Sequence, residues 1–276
     1  MAFEKPKKID AVNSAYNKIS ETMEEDVIQM DNFADLYGAG AVAEDRAYVA
    51  KMQKIFAENN NPEQEEFRRM AIIFEGIFHE QAELAEWLGP DAATIKTSPY
   101  DDIKNGVDSI AEFREGETTA SHLGLAIDVT TTTNLKKKMA RIKHEIERGE
   151  MAKIKYFQSD SMGIRGELSR VPRVVIGADR ETVRALAELW IGKKKDALAA
   201  HPLQFQILEE ISRQLEIYRQ YAEEKNQPEL ARAYDKMHHV ILNIRAAKVG
   251  RVADTGARDQ ISRAIDEHLK YFRDLQ

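Results

Sequence analysis

Between residues 107 and 130 the period of the sequence changes, and that change limits what this chain can become. Val107, Ser109, Ala111 and Phe113 alternate with Asp108, Ile110, Glu112 and Arg114. Leu123, Leu125, Ile127 and Val129 alternate with Gly124, Ala126, Asp128 and Thr130. A two-residue period is the mark of a strand, because successive side chains leave a strand on opposite faces. The polar link Glu115-Gly116-Glu117-Thr118-Thr119 reads as a turn, so the two runs predict a hairpin. Segments of helical spacing lie on either side of it. The expected fold class is therefore α/β, a small mixed sheet flanked by helices, with helical N- and C-terminal extensions.

Before the hairpin, residues 1–60 read as helical. Val27, Met30, Phe33, Leu36 and Tyr37 have helical spacing, Gly38 and Gly40 interrupt it, and a second helix runs from about Val42 to Ala57. After the break at Asn59–Asn61, Pro62 opens an apolar helix that Gly89-Pro90 stops. Its stripe is Phe67, Met70, Phe74, Ile77, Phe78 and Leu84, with Glu75 among them. A weak further strand signal lies near Ile95 to Tyr100. Asn134 is placed to cap a helix from Leu135 to Arg148. Ile154–Phe157 and Val171–Gly177 read as strands, and helices follow from about Arg180 to Leu198, Pro202 to Lys225, Pro228 to Ala247 and Arg258 to Leu275. The implied segments are an N-terminal helical part (1–61), an α/β core (62–199) and a C-terminal helical extension (200–276).

Composition removes several classes of function. There is no cysteine, which excludes disulfides, thiolate metal centres and thiol catalysis. No apolar run reaches the roughly 20 residues of a membrane helix, and the charged start MAFEKPKKID lacks the apolar stretch of a secretory signal. A cytoplasmic protein with no membrane association is expected. Net charge is −7, but Leu135 to Lys155 holds eight Lys/Arg against three Glu, a local +5 that leaves −12 on the remainder. Such a segment is either an anion-binding surface or a solvated helix face. No phosphate-binding loop, dinucleotide fingerprint or nucleophilic serine motif is present.

The pair that points to chemistry is Asp108 and Asp128. If the hairpin turns symmetrically about Thr118, paired positions sum to 236 and these two aspartates face each other, with Cβ atoms about 4.5–5.5 Å apart. Carboxylates at that range repel unless one is protonated or a cation joins them, and Mg²⁺ or Mn²⁺ takes carboxylate oxygens. An asymmetric turn would instead leave them apart on a wet sheet edge.

A helix, a strand bearing Asp, a strand bearing an acidic residue two before a lysine position, then a helix resembles the PD-(D/E)xK nuclease superfamily. The resemblance covers roughly Pro62 to Ile191. Asn105-Gly106-Val107-Asp108 stands for the first motif, with Val107 where the proline would be, and Asp128-Val129-Thr130 for the second. Tyr100 to Asp108 and Leu123 to Thr130 are also similar to stretches of uncharacterised bacterial proteins. The resemblance implies a restriction-endonuclease-like core and a metal-dependent nuclease, with DNA preferred to RNA as partner and a homodimer as one arrangement. It implies Asp108, Asp128 and Glu75 as metal ligands. Thr130 departs from it, because the motif lysine is missing. Lys137 and Lys138, in the first turn of the next helix, are the candidate replacements, and Thr130, Lys136 and Arg141 are candidate substrate contacts. A catalytically inactive module of the same fold, binding nucleic acid or a protein, is the alternative. Other residues carry weaker signals. His79 and His122 are expected to be structural or exposed, and His238-His239 lack spaced carboxylate partners. Gln214-x-x-x-Tyr218 resembles a helical motif of RecB-like nucleases but reads as packing and surface.

Overall fold

A computed structural model describes residues 10–59, 61–114, 122–161 and 163–273. It contains helices α1 (Ala11–Asp26), α2 (Ala34–Tyr37), α3 (Ala39–Glu58), α4 (Pro62–Leu84), α5 (Lys136–Glu147), α6 (Arg180–Ile191), α7 (Lys195–Ala199), α8 (Leu203–Glu224), α9 (Pro228–Lys248) and α10 (Gln260–Leu269). The strands are β1 (Ala92–Lys96), β2 (Ser109–Arg114), β3 (His122–Thr130), β4 (Ala152–Ser159), β5 (Ile164–Val171) and β6 (Arg173–Gly177). Among the described residues no helix is long and apolar enough to cross a membrane.

The sheet has the order β1-β2-β3-β6. β1, β2 and β3 are antiparallel, and β6 lies parallel to β3, as a connection through α5 and the β4–β5 hairpin requires. The β2–β3 register runs from Ser109 opposite Ile127 to Arg114 opposite His122, so paired positions sum to 236 as symmetry of the turn predicts. The turn itself, Glu115–Thr119, lies outside the described residues.

Alternation distributes the strands between two cores. Ala111, Phe113, Leu125, Ile127 and Val129 join Ile73, Phe74, Ile77 and Phe78 of α4, with Ala15 and Ile19 of α1 behind them. The opposite parity, Ile110 and Ala126, packs with Val107 against Ala152, Ile154, Phe157 and Val171 of the hairpin. α4 starts where sequence places it. Asn61 Oδ1 accepts from Gln64 N at 2.9 Å, Gln64 Oε1 accepts from Asn61 N at 3.2 Å, and Pro62 fills the first helical position.

Several elements depart from the sequence expectation. The weak strand signal at Ile95–Tyr100 becomes β1 a few residues earlier. Val27–Tyr37 is no continuous helix but a 3₁₀ turn, Met30–Phe33, followed by α2, while α1 precedes it as a separate helix. Asn134 does not cap α5; the helix starts after Leu135 with no side-chain cap, and Asn134 N donates to Thr132 Oγ1 at 3.2 Å. Arg180–Leu198 is broken by Lys193 at φ +52° into α6 and α7. β5 was not expected at all.

β6 is an edge strand, yet its free side is not bare. Gln214 of α8 accepts from Val175 N at 2.8 Å and donates to Val175 O at 2.6 Å. Glu210 accepts from Gly177 N at 3.0 Å, and Gln206 donates to Gly177 O at 3.1 Å. Residues 206, 210 and 214 are spaced one helical turn apart, so a single face of α8 takes the place of a fifth strand. The Gln214–Tyr218 pair is thus structural: both are fully buried, and Tyr218 Oη donates to Gln214 Oε1 at 3.2 Å. Gln214→Leu strands a buried donor and acceptor and is expected to destabilise the protein by about 2–4 kcal/mol, read from urea unfolding. An unchanged midpoint would show that the edge is closed by something else.

Candidate functional site

The two aspartates meet at the end of the β2–β3 ladder, on one cavity. Asp108 lies one residue before β2, past the last paired position, Ser109 opposite Ile127, and its backbone N donates to Ile127 O at 2.9 Å. Its carboxylate is turned across the pair, with Oδ2 accepting from Val129 N at 2.6 Å. Lys138, one turn into α5, places Nζ on Asp128 Oδ1 and donates to Val129 O at 3.2 Å. These residues border an open cavity of about 480 Å³, lined also by Asp102, Gly106, Lys137, Arg141, Arg68 of α4, and Gln53 and Phe56 of α3.

Asp102 is the carboxylate that sequence reasoning missed. It belongs to a single π-helical turn, Asp101–Asn105, ended by Gly106 at φ +63°. Such turns distort the backbone and are favoured where a side chain must be aimed. Two anchors hold this one. The buried Asp101 carboxylate accepts from Ser98 Oγ (2.8 Å), Asn105 Nδ2 (2.6 Å), Lys155 N (2.8 Å) and Tyr156 N (3.0 Å). The buried Arg173 donates to Asn105 O (2.6 Å), Gly106 O (2.8 Å) and Glu145 Oε1 (2.9 Å). The Asn105-Gly106 step is itself a turn signal in the sequence, but nothing in the residues announces a π turn. A side chain at Gly106 would also collide with the Arg141 guanidinium.

The electrostatics follow from three acids sharing one hollow. Asp102 keeps contact with solvent but is crowded by protein on its other sides. That crowding, then the Asp108 charge and a hydrogen bond with it, push the Asp102 carboxyl up to about 8, with Lys96 pulling the other way. Burial raises Asp128 to about 6; the Lys138 ammonium opposes this shift and Asp108 adds to it. Burial works against the Lys138 charge, but Asp128 and Asp108 outweigh it, so its ammonium titrates above the usual range.

The remaining expected site residues are placed elsewhere or at the margin. Glu75 does not join the acids. It pairs with Lys96, which sits opposite Ser109 and so on the other face of the sheet from Asp108. Thr130 is buried at 3% exposure beside Gly177, its hydroxyl accepting from Thr132 N at 3.3 Å, and does not line the cavity. Lys136 is exposed and also absent from the lining. Lys137 and Arg141 do line it, and with Arg68 they form no ion pair among the described residues. The His122 side chain lies outside the described residues. His79 borders a different hollow, and His238 meets Ser212 at 2.9 Å on the far side of α8.

An oxygen donor set suits a hard divalent cation. Asp108 and Asp128 provide one, and Mg²⁺ commonly takes one or two protein carboxylates with water and substrate phosphate completing its shell. Among the described residues no group of three or more His, Asp or Glu side chains is arranged to hold a metal, so Glu75 is not part of such a set.

Both raised carboxyls bind a proton in the folded state that the unfolded chain releases near 3.8. The folded protein therefore holds more protons from about pH 4 to 8, and these groups make stability fall as pH rises through that window. In the presence of a chelator, Asp102→Asn is expected to leave Tm unchanged at pH 4 and to raise it increasingly toward pH 8, by differential scanning fluorimetry. A constant offset at all pH values would mean that Asp102 does not carry the extra proton. Comparisons of this chain with protein family models, with curated proteins and with solved structures each found no match, so the geometry alone bears on function.

Proposed function

We propose that this chain is a Mg²⁺- or Mn²⁺-dependent phosphodiester hydrolase acting on DNA, built on a restriction-endonuclease-like core. The observation that carries this reading is the convergence of Asp108, Asp128 and Lys138 on one open cavity whose other walls supply Arg68, Lys137 and Arg141. The order α4-β1-β2-β3-α5, then the β4–β5 hairpin and β6, with three antiparallel strands and a parallel fourth in the main sheet, supports the resemblance to PD-(D/E)xK nucleases, the hairpin being an addition to it.

Asp108 and Asp128 would hold the cation, which when bound supplies an activated water and neutralises charge developing on the phosphate. The rest falls to the chain's own groups. Lys138 comes from α5 rather than from β3, yet its ammonium reaches Asp128 from there, the task for which Thr130 lacks a charge. It is charged at neutral pH and orients an anionic phosphate or the water beside it. Arg68, Lys137 and Arg141, free of ion pairs among the described residues, bind flanking phosphates. Val129 N fixes one oxygen of Asp108, a residue that lines the cavity. A second reading, a module of this fold that binds nucleic acid without cutting it, has one observation in its favour. Lys138 on Asp128, and the raised Asp102 carboxyl hydrogen-bonded to Asp108, already relieve the acid cluster without a cation.

Cleavage of labelled DNA in Mg²⁺ or Mn²⁺ decides between them. Asp108→Ala and Asp128→Ala are expected to abolish cutting, and Lys138→Ala to slow it by about 10²–10³-fold. Lys137→Ala should act mainly on binding. Glu75→Gln should instead lower stability, by about 3 kcal/mol, since it leaves Lys96 buried and unpaired. DNA binding by the wild type without metal-dependent cutting would overturn the hydrolase and leave the binding module.

A further inference from the structure

The cavity has one wall that neither acid chemistry nor phosphate binding explains. Along α3, Val42 and Val49 are buried at 1% and 6%, in the cluster with Phe33 and Tyr156. Phe56 is the next residue in that seven-residue spacing, so it leaves the helix on the face that meets the body of the protein. It is nonetheless 51% exposed, because what lies beneath it is the cavity, which it lines together with Gln53. A large apolar ring thus stands bare inside a hollow that, apart from Ile103 and Gly106, is otherwise bordered by polar and charged side chains, the acids Asp102, Asp108 and Asp128 and the cations Arg68, Lys137, Lys138 and Arg141 among them.

The wall is fixed in place. Asp45 of α3 accepts from Lys155 Nζ at 2.5 Å and from Tyr156 Oη at 2.6 Å. Tyr37 Oη donates to Lys155 O at 2.7 Å, and Arg165 of β5 grips Asp35 at 2.8 and 2.6 Å. Tyr48 of α3 meets the Tyr100 ring at 6.1 Å, next to the π turn that carries Asp102. These contacts anchor the first half of α3, the helix whose later turns carry Gln53 and Phe56 to the cavity.

We propose that Phe56 is a stacking platform for an unpaired base, so that the substrate of this cavity is single-stranded nucleic acid or a frayed end rather than an intact duplex. The substrate class rests on the hydrolase reading; the binding mode does not. An aromatic face can meet a base face only where the base has no neighbour stacked on that side, and in a duplex both faces are covered. A hollow of about 480 Å³ is of the size that takes a small ligand, which suits one splayed nucleotide. The cations then grip the adjoining phosphates, while the acids face the backbone link beside the stacked base. Gln53, one turn before Phe56, can donate to and accept from the edge of that base.

Anisotropy of fluorescent oligonucleotides on the full chain, in EDTA so that nothing is cut, tests the binding mode. The probes are a twelve-nucleotide oligothymidylate, the same strand paired with its complement, and a strand of abasic residues of equal length. Wild type should bind the first at least 10-fold more tightly than the other two. Phe56→Ala should lose roughly 10-fold or more on the oligothymidylate and little on the abasic strand; Phe56→Trp should keep the affinity. Arg68→Ala and Arg141→Ala should weaken all three. Equal binding of duplex and single strand, an unchanged Phe56→Ala, or no binding of any probe overturns the inference. A parallel assay with Mg²⁺ separates the two readings. Phe56-dependent binding without cleavage removes the hydrolase and keeps the stacking site. Cleavage of duplex that ignores Phe56→Ala does the reverse.

Discussion

A sheet covered on both faces allows one register. Moving β3 by a single residue against β2 would turn Leu125, Ile127 and Val129 from the α4 core toward the hairpin, and would push Ala126 and Asp128 among phenylalanines. That penalty is spread over the whole ladder, and it is what forces Asp108 and Asp128 together at the sheet's end, where two like charges would otherwise separate. The apolar residues along the strands thus pay for the acid pair. Everything else at the cavity is arranged around a juxtaposition that the core has already imposed.

The surroundings divide that burden in a recognisable way. Lys138 pairs with Asp128 directly, while the Asp102 carboxyl, pushed up beside Asp108, holds its proton and so adds no charge to the repulsion. Neither device fills the cavity, which is lined by three further cations, Arg68, Lys137 and Arg141, that form no ion pair among the described residues. Structural charges on the same molecule behave differently. Asp101 spends its carboxylate on two side chains and two backbone amides, and Arg173 spends its guanidinium on two carbonyls and Glu145. The contrast separates groups that hold the π turn from groups that the turn presents.

What could be read from the sequence was whatever follows from period and local chemistry. Alternation gave β2 and β3, a symmetric turn gave their register, and Asn61-Pro62 gave the start of α4. β5 is hard to see because Arg165, Glu167, Ser169 and Arg170, with Gly166, break up the alternation of a mostly exposed strand and leave only Ile164, Leu168 and Val171 as apolar signals. β1, with the sequence Ala-Ala-Thr-Ile-Lys, is too short and too polar to stand out. At the site, Lys138 could be narrowed only to a pair with Lys137, and Glu75 could not be ruled out, since the partner that removes it, Lys96, sits on the poorly marked β1. Asp102 needed a backbone irregularity, and Gln214 needed knowledge of which strand ends the sheet. Glu75, Asp102 and Gln214 all depend on long-range neighbours, which local pattern does not encode.

The ladder of Gln206, Glu210 and Gln214 has a consequence for synthesis. β6 is complete once Gly177 has been made, but the side chains that satisfy its outer amides and carbonyls come 29 to 39 residues after the strand residues they bond. During translation there is an interval in which a nascent chain carries a finished strand with an open side, the state most prone to pairing with another chain. Emergence of α8 from the ribosome ends that interval, so the helix that closes the sheet in space also closes its period of risk in time.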